Sequence, residues 1–134
     1  MPTIWACQAE GSSGIARAFA APQSGKDAFG DPIPSNTIAD SISVDVPRNG
    51  LHALAKLRKY GGKAVVVSDA EILSAQKTLS SGSGLFAEPS SSAAFAGWLK
   101  ARESVPAAQT CILLITGSGL KDIKAAALGL GLED

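Results

Sequence analysis

The sequence predicts an α/β chain, a three-layer arrangement in which a mainly parallel open sheet carries helices on both faces. Strand-like and helix-like segments alternate along it, and such alternation joins successive parallel strands through crossover helices. The run KAVVVS at 63–68 is apolar on both faces, as strands covered by helices tend to be. A length of 134 residues suits a single domain spanning 1–134, which can bury a core without metal or disulfide support.

The first strand is expected at residues 4–7, followed by the turn AEGSSG and a helix over 13–20 with Ile15, Ala16 and Phe19 on one face. Residues 21–36, APQSGKDAFGDPIPSN, hold three prolines and two glycines without periodicity and read as a long loop. SISVDV at 41–46 alternates Ile42, Val44 and Val46 with polar residues, the pattern of an edge strand. Pro47 and Asn49 introduce a helix over 50–60 that turns Leu51, Leu54 and Ala55 inward, with Arg58 and Lys59 near its negative end.

After the strand at 63–68, Ser68 and Glu71 form a capping-box pattern for a helix bearing Ile72, Ala75 and Leu79. SSGSG at 80–84 ends it, and LFAE at 85–88 reads as a fourth strand. Pro89 suits the first turn of the next helix, whose apolar residues spread nearly around its circumference. CILLIT at 111–116 supplies the last strand and 122–130 the last helix. Ligands in such sheets sit beyond the carboxyl ends of the strands. The polar turns AEGSSG, EPSS and TGSG are therefore expected along one edge.

Charge balances at 12 basic and 12 acidic residues, so no overall field draws the chain to nucleic acid or an anionic membrane. The apolar runs are too short to span a bilayer, and MPTIWACQAE lacks the pattern of a signal peptide. Cys7 and Cys111 both fall in apolar strand-like runs and read as buried free thiols, which fits a reducing, cytoplasmic setting.

Local motifs leave the chemistry open. TGSG matches neither a Walker loop nor a complete dinucleotide fingerprint, and its glycines serve a tight turn whether or not a ligand is held. His52 is the sole histidine and falls on a helix surface, no His/Cys group has zinc spacing, and no metal site is expected. Glu10 and Glu88 both end strands at the expected binding edge. They read either as a paired acid and base or as carboxylates set near helix amino termini.

Longer motifs carry a family resemblance. CQAEGSSGIARAF, SNTIADSISVDVPRN, the stretch from GGKAVVVSDAEIL through LFAEPSSSAAFAGWLKA, and LLITGSGLKD occur in the order and spacing of the C-terminal third of threonine synthase. The chain thus resembles the fold type II, tryptophan synthase β-like pyridoxal phosphate enzymes, as part of their large cofactor domain. The resemblance implies an enzyme that converts O-phosphohomoserine and water to threonine and phosphate, a carbon-oxygen lyase of amino-acid biosynthesis. It implies that Thr116 hydrogen-bonds the pyridine nitrogen of pyridoxal phosphate, with Gly117 beside it. Glu88, Pro89 and Ser90 then lie next to the cofactor ring, and Ala9, Glu10 and Gly11 at its edge. A neutral hydroxyl opposite that nitrogen would leave it unprotonated and moderate the ring as an electron sink.

Ser118 stands where the family commonly has His in T-G-H-G-L-K-D. The family's Schiff-base lysine and phosphate cradle lie upstream of the matching region, and none of this chain's lysines sits in that lysine's motif. The chain is therefore expected to be a fragment, inactive alone, that holds one wall of a site. A threonine dehydratase-like parent and a non-catalytic module binding a small ligand or a partner are the alternatives. A sheet severed there would expose a strand edge, through which self-association or a homodimer is expected.

Overall fold

A computed structural model describes residues 2–22 and 25–132. Gln23 and Ser24, inside the expected loop at 21–36, lie outside the described residues, and Gly25–Ala28 of that stretch forms a 3-10 turn. Helices surround a small parallel sheet. Strand β1, Trp5–Ala9, pairs in parallel with β2, Lys63–Val67, with Trp5 opposite Lys63 and Ala9 opposite Val67.

The helices are α1 (Gly14–Ala20), α2 (Gly50–Lys59), α3 (Asp69–Ser83), α4 (Pro89–Ala101) and α5 (Ile123–Leu130). Neighbouring residues of a strand point to opposite faces, and the contacts of β1 follow that rule. The Cys7 thiol points at the Ala94 carbonyl of α4 at 4.0 Å, whereas Gln8 Oε1 accepts the Ala16 amide of α1 at 2.8 Å. Thus α4 covers one face and α1 the other. Helix α2 packs on α1, α3 lies along α4, and α5 packs on α3.

Small residues let α4 approach closely. A Cβ at Gly97 would collide with Cys7 Sγ and lie 3.0 Å from Cys7 Cβ, so the helix meets the sheet at a position only glycine fits. The core around it is built of Ala9, Val67, Ile72, Ala75, Ala93 and Ala96, all buried. The capping box holds as expected: Glu71 N–H donates to Ser68 Oγ at 3.2 Å, and Ser68 N–H to Glu71 Oε2 at 2.7 Å. Helix α3 continues through Ser80 and Gly82 and stops only at Gly84, in the left-handed conformation at φ 75°.

Three expected strands do not form. At 41–46 the backbone is claimed locally: Ser12 Oγ accepts the Val44 amide at 2.9 Å and lies within 3.2 Å of the Ile42 and Val44 carbonyls. Asp40–Ile42 is a 3-10 turn, and Val44 and Val46 are exposed despite their alternation. Residues 85–88 contribute one antiparallel bridge, Ala87 to Ser118, and no ladder. Segment 111–116 has no strand partner among the described residues, and Ile112 and Leu114 are 81 % and 74 % exposed.

Two burial expectations are also corrected. Leu54 and Leu57 face inward on α2, because Leu54 packs on Ala18 and Ala28, leaving Leu51 and Ala55 exposed. Cys111 is exposed with its unpaired segment, and Cys7 is half-buried; both are free thiols. Burial, with a smaller contribution from Cys111, pushes the Cys7 thiol above its ordinary value. Among the described residues no helix is long and apolar enough to cross a membrane.

Candidate functional site

Three distant segments meet where α4 begins. Pro89 occupies the first turn, where its missing N–H costs nothing, and Glu88 precedes it in extended conformation. Glu88 N–H donates to the Gly117 carbonyl at 3.0 Å, and Gly119 N–H donates to the Phe86 carbonyl at 2.8 Å. The TGSG turn is thereby laid antiparallel against residues 86–88.

The Glu88 side chain is 9 % exposed and is committed to protein partners. Its Oε2 lies 3.0 Å from Lys121 Nζ and accepts a hydrogen bond from Ser41 Oγ at 3.4 Å. A buried carboxylate without such partners would be strongly destabilising. The carboxylate also fills the space over Gly117, where an added Cβ would fall inside it. Glycine at 117 is therefore a packing requirement of Glu88.

In the same first turn of α4, Ser91 is 3 % exposed. Its Oγ accepts the Gly117 amide at 2.7 Å and the Thr116 amide at 3.2 Å, and it lies 3.4 Å from Thr116 Oγ1. One hydroxyl thus gathers two successive amides at the end of segment 111–116. Thr116 itself is exposed. The result is a clamped peptide ending at an exposed residue, Thr116, whose hydroxyl lies beside that of Ser91.

Of the residues singled out in the sequence, Thr116, Gly117 and Glu88 come together here. Ala9 is fully buried at the end of β1, in one apolar cluster with Ala39 and Ala93. Glu10 is exposed and opens the 3-10 turn Glu10–Ser12. That turn reaches the cluster indirectly: Ser12 binds residues 42–44, and Ser41 binds Glu88. Among the described residues no hydrogen bond joins Glu10 to Glu88.

Ser91 and Lys121 escaped sequence reasoning. Each acts across a long sequence separation, and no periodicity marks such contacts. The available signal for Ser91 was its place in the first turn after Pro89, where a serine can serve nearby amides. His52 is exposed, as expected. Among the described residues no group of three or more His, Cys, Asp and Glu side chains could hold a metal ion.

A family described as "Pyridoxal-phosphate dependent enzyme" matches residues 1–117. The chain is 41 % identical over 103 residues to threonine synthase of Synechocystis sp., a match covering 76 % of this chain and 27 % of the relative. It is 36 % identical over 124 residues to threonine synthase of Methanosarcina acetivorans, covering 91 % and 30 % respectively. The threonine synthase of Methanocaldococcus jannaschii is also 36 % identical, over 128 residues, covering 94 % and 31 %. Among solved structures, maize serine racemase superposes with a TM-score of 0.61 at 23 % identity, over 79 % of this chain and 30 % of the racemase. That likeness speaks to the fold alone. The chain spans about a third or less of the length of each of these relatives.

Proposed function

Because this chain belongs to the pyridoxal-phosphate dependent enzyme family, we propose that it forms one wall of the cofactor site of a threonine synthase-like enzyme. In this reading the enzyme releases phosphate from O-phosphohomoserine and adds water to give threonine. The observation that carries it is the hydroxyl of Thr116, an exposed residue held by Ser91 on the turn packed against Glu88.

The residues fit one edge of the group. Pyridoxal phosphate, when bound, supplies an electron sink for bond changes at an amino acid's α- and β-carbons. Thr116 would present a neutral hydroxyl to the ring nitrogen, and Gly117 keeps the backbone beside it free of a side chain. Glu88 serves through its hold on Gly117 and Lys121, since its carboxylate is already engaged. Ala9 and Glu10 enter this reading through the motif at the end of β1, where Ala9 is fully buried and Glu10 exposed. Lys121, the lysine brought to this turn, pairs with Glu88, and no lysine of this chain stands in the motif of the one that would link covalently to the cofactor. The chain alone is therefore read as inactive and as a single α/β unit over 1–134, with 21–36 as its long loop.

The test is a graft of this chain in place of the matching region of the Synechocystis threonine synthase. Phosphate and threonine released from O-phosphohomoserine support the reading. Deamination of threonine without phosphate release would favour a dehydratase-like parent, and a folded graft with neither activity would overturn both. The isolated chain, treated with pyridoxal phosphate and borohydride, is expected to show no adduct at a single lysine.

A second reading, a module that binds a small anion, has one observation in its favour. Lys26, Arg48 and His52 line a cleft of about 440 Å³ at the start of α2. Inorganic phosphate that shifts the His52 ring resonances at submillimolar concentration would support it. The exposed free thiol of Cys111 agrees with a reducing, cytoplasmic compartment. The apolar backbone edge at 111–116 is read as the surface for self-association.

A further inference from the structure

We propose that Ser91 is a positioning residue that fixes both the place and the proton direction of the Thr116 hydroxyl. The inference rests on the reading of Thr116 as the group facing the ring nitrogen, and extends it to a residue the family motifs did not point to.

A serine hydroxyl has two acceptor lone pairs and one proton. Both lone pairs of Ser91 are occupied, by the Gly117 amide at 2.7 Å and the Thr116 amide at 3.2 Å. What remains is its proton, and Thr116 Oγ1 lies 3.4 Å away. The direction of that contact follows from the occupancy: Ser91 donates and Thr116 accepts. Thr116 then keeps its own proton to donate to a ring nitrogen.

Two amides donating to Ser91 polarise its O–H, and Ser91 in turn polarises the O–H of Thr116. The relay makes Thr116 a better donor and occupies one of its own two lone pairs. Opposite such a group, an unprotonated ring nitrogen is favoured over a protonated one. Ser92, one residue further on, is the internal contrast: fully buried, its hydroxyl has no hydrogen-bond partner among the described residues. Adjacent serines of one helix therefore differ in that Ser91 alone faces the turn.

Amide hydrogen exchange of the purified chain tests the positioning. Ser91→Ala is expected to speed exchange at Thr116 and Gly117 by about tenfold, as loss of a hydrogen bond implies, while Ser92→Ala leaves both unchanged. Exchange at both amides unaltered in Ser91→Ala would overturn the inference. Ring-¹⁵N-labelled pyridoxine 5′-phosphate, which lacks the aldehyde, tests the proton direction. In the cofactor-free graft into the Synechocystis enzyme, the pH at which its ring nitrogen protonates should fall on binding and fall less when the graft carries Ser91→Ala. An equal fall in both overturns the proton direction. Faster amide exchange in Ser91→Ala, without any ring-nitrogen response in the graft carrying the unaltered chain, upholds the positioning of Thr116 and removes the cofactor reading instead.

Discussion

Strand β2 and segment 111–116 carry similar apolar side chains in opposite surroundings. Val67 of β2 is fully buried, its backbone laddered to β1 and its faces covered by α1 and α4. Ile112 and Leu114 stand 81 % and 74 % exposed, with no strand beside them among the described residues. Backbone amides and carbonyls demand partners, and a strand exists only where a second chain segment supplies them. An apolar run creates the demand without naming the partner. At the end of segment 111–116, Ser91 takes the Thr116 and Gly117 amides.

The comparison breaks first at the covered sheet. Gly97→Val forces a side chain into Cys7 and should cost about 3 kcal/mol, measured by urea unfolding. A cost near zero would mean that α4 does not lie as close as its geometry implies. Next, Val67→Ala should cost about 2 kcal/mol, from lost transfer energy and a residual cavity. Leu114→Ala, by contrast, should stay within about 0.5 kcal/mol. Equal losses at the two positions would place segment 111–116 in a covered environment.

The exposed run sharpens the contrast in solution. Paired Ile112→Lys and Leu114→Lys substitutions should weaken concentration-dependent association by at least about tenfold in sedimentation, because edge lysines block strand pairing. A wild type that remains monomeric at high concentration would remove the self-association reading. A smaller effect is expected within α4: Ser92→Ala should stabilise by about 1 kcal/mol, since it deletes a buried hydroxyl that has no partner among the described residues. Loss of stability instead would reveal a bond that the hydroxyl makes.

The smallest effect belongs to the cap of α3. The Ser68 amide, aided by Lys100, holds the Glu71 carboxyl below the usual glutamate range. A carboxyl lowered in the folded state stabilises above its unfolded value, and the contribution fades as pH falls through the folded value. With Glu71 40 % exposed and Lys100 47 % exposed, solvent screening keeps it small. The melting temperatures of wild type and Glu71→Gln should differ at neutral pH and converge on acidification below the glutamate range. A constant difference would show that shape, and not charge, accounts for the effect.

Much of the local structure was legible because its causes are local. Ser68 and Glu71 announce their own cap, and Pro89 starts a helix wherever it stands in that context. Alternation at 41–46 misled because Ser12, thirty residues away in Ser12–Ile42 separation, claims that backbone. Within the candidate site, Thr116, Gly117 and Glu88 could be named from motifs, but Ser91 and Lys121 could not. Their contacts exist only after α4 and the TGSG turn have met.

By itself, the sequence determined most of the helical segments, the capping box of α3, the balanced charge and the family motifs, since each depends on neighbours a few residues apart. Tertiary structure alone decided which apolar runs become strands, which serine holds Thr116, and which carboxylate packs over Gly117. Those outcomes depend on which backbone amides and carboxylates find partners across the chain, and partners distant in sequence are chosen by packing.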